Sequence, residues 1–165
     1  MVIDLNDEIL QDFLVEAGEI LEQLNEQLVD LEQSPQDNEL LNSIFRGFHT
    51  IKGGGSFLSL TNLVEVCHKS EDVFNLLRNQ ELKLDAGMMD VFLRVLDELN
   101  SMFEEIRCGT DPSAASSILL EQLLELQNGG SVAIQQSPTR QDPADALIPE
   151  PVAETDSAGA AAPQT

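Results

Sequence analysis

Two histidines, a lysine and a glutamate near the middle of the chain have the types and the spacing needed to handle a phosphoryl group. His49 and Lys52 are three residues apart, so on a helix they lie one turn apart on a common face. His68 and Glu71 have the same spacing. A neutral imidazole nitrogen is a nucleophile, and an ammonium neutralises phosphate oxygens as a point charge. These residue types indicate a site at which a phosphoryl group is accepted.

Three consecutive glycines, residues 53–55, follow Lys52 directly. Each glycine destabilises a helix interior by about 1 kcal/mol relative to alanine. Three glycines in one helix therefore indicate that space free of side chains is needed at this position. We therefore expect open space beside His49.

Apolar residues recur at helical spacing through most of the chain, and no long stretch alternates apolar and polar residues as a strand does. The sequence therefore predicts an all-α fold. Because short connections make antiparallel neighbours, we expect an antiparallel up-and-down four-helix bundle with a fifth helix packed alongside. The predicted helices cover residues 7–32, the segment from the turn at 34–37 to about residue 58, and residues 61–79, 86–107 and 113–127.

The connections carry helix start signals. Pro35 is predicted near the first position of the second helix, where its missing N–H is not needed. Either Ser59 or Thr61 is expected to cap the third helix with its hydroxyl.

After residue 128 the composition changes to one rich in Ala, Pro, Gln and Ser without sustained periodicity. Such a segment cannot bury enough apolar surface to fold alone. We therefore divide the chain into a helical-bundle domain, residues 1–128, and a disordered linker or tail, residues 129–165. A linker of this kind favours the interpretation that the chain is the front of a larger protein.

The formal net charge of −22 argues against nucleic acid and anionic membranes as partners. No apolar run approaches the ~20 residues of a membrane span, and the N-terminus lacks the features of a signal peptide. The two cysteines, Cys67 and Cys108, do not form a metal-type pair, and Cys67 lies on an apolar helical stripe as a buried thiol would. The sequence predicts a cytoplasmic protein.

The second and third helices form a hairpin that turns near residue 60, and residues equally distant from the turn should lie side by side. His49 is eleven residues before the turn and Glu71 is eleven after it. Lys52 is eight before it and His68 is eight after it. Reflection through the turn therefore predicts His49 level with Glu71, and Lys52 level with His68.

This arrangement has a mechanism. If Glu71 accepts a hydrogen bond from Nδ1–H of His49, it fixes the tautomer and leaves the Nε2 lone pair facing outward. The carboxylate would also stabilise the cationic ring that forms when Nε2 takes an electrophile. Lys52 would neutralise the oxygens of the incoming phosphoryl group.

The surroundings of the patch suggest a docking surface for a partner. Nothing in the sequence supplies a nucleotide site, Mg²⁺ or a water-excluding pocket, which phosphoryl transfer requires. The patch is then a phosphate carrier whose partners bring the catalysis. The residues expected to border it or to leave room for a partner are Arg46, Gly53, Gly54, Ser56 and Lys69.

The same residues resemble a known family, the histidine phosphotransfer (HPt) domain. The chain is most similar to the phosphoacceptor domain at the N-terminus of CheA-type chemotaxis histidine kinases. The resemblance covers about residues 7–107. It is carried by residues 13–19, 44–48, 49–54, 57–58 and 68–71. One departure is that Gly47 and Gly55 stand where such chains often have alanine.

The resemblance implies a role for each site residue: His49 is phosphorylated, Lys52 and His68 flank it, and Glu71 hydrogen-bonds its ring. It also implies two partners, an ATP-dependent histidine kinase catalytic domain and the receiver domain of a response regulator, whose aspartate takes the phosphoryl group. ATP and Mg²⁺ would be supplied by partner domains, with no cofactor bound by this chain. The isolated domain would be a monomer and not an enzyme, while a longer parent protein would be a histidine kinase.

Two alternatives stay open at this point. Two histidines and a carboxylate, His49, His68 and Glu71, could bind a metal ion. A bundle metal site expects more carboxylates from facing helices, and a metal does not explain Lys52 or the glycines. A plain acidic scaffold would explain the charge but not the convergence of these side chains.

Overall fold

The structure is a computed structural model that describes residues 2–129. Five α-helices make up most of this range. No strand occurs within this range. The predicted all-α fold is confirmed. The helices are α1 (Glu8–Gln33), α2 (Asn38–Phe57), α3 (Thr61–Arg78), α4 (Ala86–Arg107) and α5 (Ser117–Gln127).

Along the chain, α1 packs against α2, α2 against α3, and α3 against α4. The bundle closes because α1 also packs against α4. This is the up-and-down four-helix bundle that the short connections predict. The fifth helix, α5, packs against α3 and α4. Among the described residues, no helix combines the length and the apolar character needed to cross a membrane.

Aromatic side chains link the helices at the centre of the core. The ring of Phe74 on α3 lies 5.6 Å from that of Phe48 on α2 and 4.4 Å from that of Phe92 on α4. All three are fully buried, and each such side chain contributes about 1.5 to 3 kcal/mol of hydrophobic stabilisation. Phe48 lies in the core, whereas its neighbour His49 lies on the exposed side of α2.

Aspartates cap three of the helices. Asp7 accepts a hydrogen bond from the backbone N–H of Ile9, and Asp85 accepts one from Met88. At α2 the cap is Asp37, which accepts from the first-turn N–H groups. The helix therefore starts at Asn38, and Pro35 lies in the turn before it rather than at the first helical position.

The turn between α2 and α3 differs from the prediction of a hydroxyl cap. Leu60 occupies the N-cap of α3, and no side chain caps this helix. The backbone N–H of Leu60 donates instead to the carbonyl of Gly55 at 2.8 Å, and Ser59 adopts a left-handed φ of 60°. This backbone closure places Leu60 in the core, so neither Ser59 nor Thr61 reaches the cap position.

α5 starts four residues later than the predicted position at 113. Glu105 explains the delay, because its carboxylate accepts hydrogen bonds from the backbone N–H and the hydroxyl of Ser113 at 2.6 and 2.7 Å. These bonds hold Ser113 in the loop before the helix. The predicted tail, residues 129–165, lies outside the described residues apart from Gly129 and stays a prediction.

Candidate functional site

The α2–α3 hairpin brings His49 and Glu71 into direct contact. His49 Nδ1 lies 2.8 Å from Glu71 Oε1. The reflection through residue 60 predicted this contact, and the structure confirms it. The tight closure at Leu60 fixes how far α3 is displaced along α2, and therefore which residues face each other.

Glu71 is one of two polar residues buried in the described part of the chain, with 7% of its surface exposed. The Lys52 ammonium lies 2.6 Å from Glu71 Oε2. At this distance the contact is an ion pair reinforced by a charge-assisted hydrogen bond. Each oxygen of the buried carboxylate therefore faces a different partner.

These contacts set the ionisation of the carboxyl. Burial raises the pKa of Glu71, but the hydrogen bonds and charges of Lys52 and His49 outweigh burial and hold that pKa below its ordinary value. An ionised carboxylate can only accept hydrogen bonds. Nδ1 of His49 is thus the donor, and the proton of the neutral imidazole resides there.

The opposite edge of the imidazole is accessible. The His49 side chain is 61% exposed even though its Nδ1 is held by a buried group. With the proton on Nδ1, the Nε2 atom carries a free lone pair toward the solvent. The geometry is that of an activated and oriented nucleophile without a pocket of its own.

His68 and Lys52, expected to lie level with each other, have other partners in the structure. Lys52 reaches across to Glu71. The Nε2 atom of His68 lies 3.7 Å from a carboxylate oxygen of Asp72, its neighbour one turn along α3. Lysine has a long flexible side chain, so the attraction of a buried carboxylate decides its direction more than the register does.

The metal-binding alternative receives no geometric support. Within the described residues, no three His, Cys, Asp or Glu side chains are grouped as ligands of one ion would be. His49 and Glu71 are adjacent, but His68 pairs with Asp72.

The three consecutive glycines face three different environments. A Cβ on Gly53 would meet nothing within 4 Å, so this position leaves open space on the protein surface. A Cβ on Gly54 would lie 2.5 Å from the ring of Phe13 on α1, and a Cβ on Gly55 would lie 3.2 Å from Val64 on α3. Only Gly53 leaves room for a partner. The expectation that Gly54 does so is wrong, because this residue lets α1 approach α2.

The other predicted docking residues lie on the hairpin and make no hydrogen bond or ion pair with His49, Lys52 or Glu71. Arg46 and Ser56 are exposed, and Lys69 is half-buried. Their docking role stays a prediction.

Cys67 is a buried free thiol, as the sequence predicts. Burial raises the pKa of this thiol and keeps it protonated.

Sequence reasoning missed two residues next to His49. The ring of Phe45 stacks on the imidazole with centroids 6.1 Å apart and planes 13° apart. The guanidinium of Arg78 on α3 lies over the Phe45 ring, 3.8 Å from its centroid. The four-residue spacing from Phe45 to His49 could have indicated the first contact. The second depends on the reach of a long arginine side chain.

Charge is distributed unevenly over the bundle. Residues 38–79, which contain α2 and α3, hold four acidic and four basic side chains. The remaining described residues, 2–37 and 80–129, hold 21 acidic and three basic ones. The hairpin with His49 is therefore the one electrically neutral sector of the described, otherwise acidic, bundle.

Comparison with known proteins agrees with this geometry. The Hpt domain family matches residues 8–107. The sensor histidine kinase CheAY of Helicobacter pylori is 44% identical over 119 residues, which is 72% of this chain. The matching region spans only 15% of that kinase.

Solved structures show the same fold. The CheA phosphotransferase domain of Thermotoga maritima has a TM-score of 0.58 and 31% identity, over 61% of this chain and 97% of that one. The phosphorylated P1 domain of CheA3 from R. sphaeroides, in complex with CheY6, has a TM-score of 0.68. Its identity is 24%, over 75% of this chain and 98% of that one, so it supports the fold alone.

Proposed function

We propose a function on the premise that this chain belongs to the Hpt domain family: His49 accepts a phosphoryl group and passes it to an acceptor protein. An Hpt domain is a phosphotransfer module, distinct from the ATP-binding catalytic domain of a histidine kinase. One observation supports His49 as the acceptor. Its Nδ1 is bonded to a buried carboxylate with a lowered pKa, while its Nε2 side is exposed.

In the first step the lone pair of Nε2 attacks the γ-phosphorus of ATP, which is held by the partner kinase domain. The P–N bond forms as the P–O bond to the β-phosphate breaks, and ADP leaves with that electron pair. The ring becomes cationic because Nδ1 keeps its proton. Glu71 stabilises this cation through the 2.8 Å contact that already orients the ring.

In the second step a carboxylate oxygen of the acceptor aspartate attacks the same phosphorus. The P–N bond breaks and its electron pair returns to Nε2, so the imidazole is neutral again and needs no external proton. Both steps approach the solvent side of the ring, where Gly53 leaves space. ATP and Mg²⁺ belong to the partner in this scheme.

Lys52 is placed to serve both steps. Its side chain is 24% exposed, and its ammonium pairs with Glu71 Oε2 at 2.6 Å. An ammonium has three donors, so it can contact a phosphoryl oxygen while it stays paired with Glu71. Lys52 therefore offsets the incoming negative charge.

The proposed partners follow from the relatives' names. The Helicobacter relative is a sensor histidine kinase, and a kinase of this class passes its phosphoryl group to a receiver domain. We infer that this chain, over residues 1–128, is the phosphotransfer domain of a longer cytoplasmic chemotaxis kinase. A kinase catalytic domain and a CheY-like receiver are its partners.

A two-stage labelling experiment tests the proposed function. The chain is incubated with a CheA-type catalytic domain, Mg²⁺ and γ-labelled ATP, repurified, and then mixed with a CheY-like receiver. We expect acid-labile, base-stable label on the chain, which moves to the receiver within minutes and becomes base-labile there. Acid-stable label, or label that stays on the chain, would contradict the proposal.

Glu71→Gln is expected to slow phosphorylation of the chain about tenfold while the bundle stays folded. The amide oxygen can still accept a hydrogen bond from Nδ1–H, but it has no charge to stabilise the imidazolium, and charged hydrogen bonds are about twice as strong as neutral ones. The measurement is the first-order rate of labelling at saturating kinase, with circular dichroism as the control for folding. An unchanged rate would remove Glu71 from the mechanism.

A further inference from the structure

We propose that Phe45, held in place by Arg78, is a positioning residue for the His49 imidazole. This inference rests on the proposed function, since the ring that Phe45 positions is the one that we expect to be phosphorylated. The three side chains stand in contact order, with Arg78 against Phe45 and Phe45 against His49.

The hydrogen bond to Glu71 alone does not fix the imidazole plane. The torsion between Cβ and the ring of a histidine is soft, and one hydrogen bond at Nδ1 restrains one point of the ring. The His49 side chain is largely exposed, so no wall of the core closes around it. A second contact is needed to define the direction of Nε2.

Phe45 supplies a planar contact. Its ring lies one helical turn before His49, with the two planes only 13° from parallel. Rotation of the imidazole out of this plane would bring its edge against the phenyl face. The phenyl ring therefore restrains the ring plane while Glu71 restrains Nδ1.

Arg78 in turn restrains Phe45. Its guanidinium lies 3.8 Å from the centre of the phenyl ring, within the range of a cation–π contact. The guanidinium is itself oriented, because Nε of Arg78 donates a 3.0 Å hydrogen bond to the side-chain oxygen of Asn75. Phe45 is only half-buried, so without Arg78 its outer side would be unrestrained.

The test compares Phe45→Leu, which keeps apolar bulk but removes the planar face, with Phe45→Tyr, which keeps that face. Phe57→Leu, at the exposed end of the same helix, is the matched control. We expect Phe45→Leu to lower kcat for phosphorylation about three- to tenfold, the range of an aromatic pair. The KM of the kinase domain for the chain should stay unchanged. Phe45→Tyr and Phe57→Leu should match wild type.

A spectroscopic readout separates positioning from folding. Nitrogen-15 spectra of the His49 ring in the unphosphorylated chain should show a smaller Nδ1–H fraction in Phe45→Leu than in wild type or Phe45→Tyr. Arg78→Gln, a surface change that leaves the core intact, should shift kcat and the spectrum in the same direction by a smaller factor. Wild-type kcat and spectra for Phe45→Leu, or a loss that Phe45→Tyr does not restore, would overturn the inference.

The two hypotheses fail differently. If His49→Gln were still labelled, the proposed function would be wrong, whereas the ring spectra of Phe45→Leu would still report whether Phe45 positions the imidazole. If instead His49→Gln were unlabelled but Phe45→Leu behaved as wild type, His49 would remain the phosphoacceptor and Phe45 would have no positioning role.

Discussion

His49→Gln is expected to abolish acid-labile labelling of the chain, and His68→Gln is expected to leave most of it. The two histidines are the only ones in the sequence. Their side chains are almost equally exposed, at 61% and 59%. Accessibility therefore cannot choose between them as nucleophiles.

The difference lies in what holds each ring. Nδ1 of His49 donates over 2.8 Å to a buried carboxylate, which fixes the tautomer and would stabilise the cation formed by the proposed phosphorylation. The nitrogen of His68 that faces a carboxylate is Nε2, and it lies 3.7 Å from the half-exposed Asp72, too far for a strong hydrogen bond.

The measurement is label per chain after reaction with the kinase domain, Mg²⁺ and ATP. The background for His49→Gln should be indistinguishable from a reaction without kinase. Equal labelling of wild type and His49→Gln would refute the assignment, as would loss of label in His68→Gln alone. Comparison of unfolding temperatures ensures that both variants are folded.

Gly53→Ala and Gly54→Ala are expected to change stability in opposite directions although the residues are adjacent. At Gly53 the new methyl group meets nothing, so alanine should stabilise the helix by about 1 kcal/mol. At Gly54 the methyl group would overlap the Phe13 ring, which is buried and stacked on Phe103. Overpacking of this kind costs about 1 to 3 kcal/mol and outweighs the propensity gain.

Thermal unfolding followed by circular dichroism measures this difference. For a domain of this size, 1 kcal/mol corresponds to a shift in Tm of about 4 °C, so the overpacking cost of about 1 to 3 kcal/mol should separate the two variants by roughly 4 to 12 °C. A Gly54→Ala variant as stable as Gly53→Ala would show that α1 is not in close contact with α2 at this position. Gly53→Ala is also informative in the labelling assay, because slower transfer in a stabilised variant would show that a partner uses this space.

Reflection through the hairpin turn found Glu71 from sequence because helix register is a backbone property, and one turn position determines every facing pair. That Lys52 lies level with His68 stays a prediction, and the ion pair of Lys52 with Glu71 was not anticipated, because the backbone register does not determine where a long side chain ends. Arg78 was missed for the same reason. Such an argument is more reliable for side chains shorter than those of lysine and arginine, such as those of His49 and Glu71.

The glycines and the start of α5 show a second limit. Residues 53, 54 and 55 are identical letters, and their separate roles depend on which helix lies in each direction around α2. The late start of α5 depends on Glu105, eight residues before Ser113, which holds that residue outside the helix. Contacts between distant parts of the chain determine both features, and local helix propensity cannot predict such contacts.

The neutral sector formed by α2 and α3 bears on the rate at which a partner reaches the site. A protein that delivers or removes a phosphoryl group presents an anionic centre, which the acidic sides of the bundle repel and the neutral hairpin does not. Encounters should therefore favour orientations in which the hairpin faces the partner, and a larger fraction of collisions can lead to reaction.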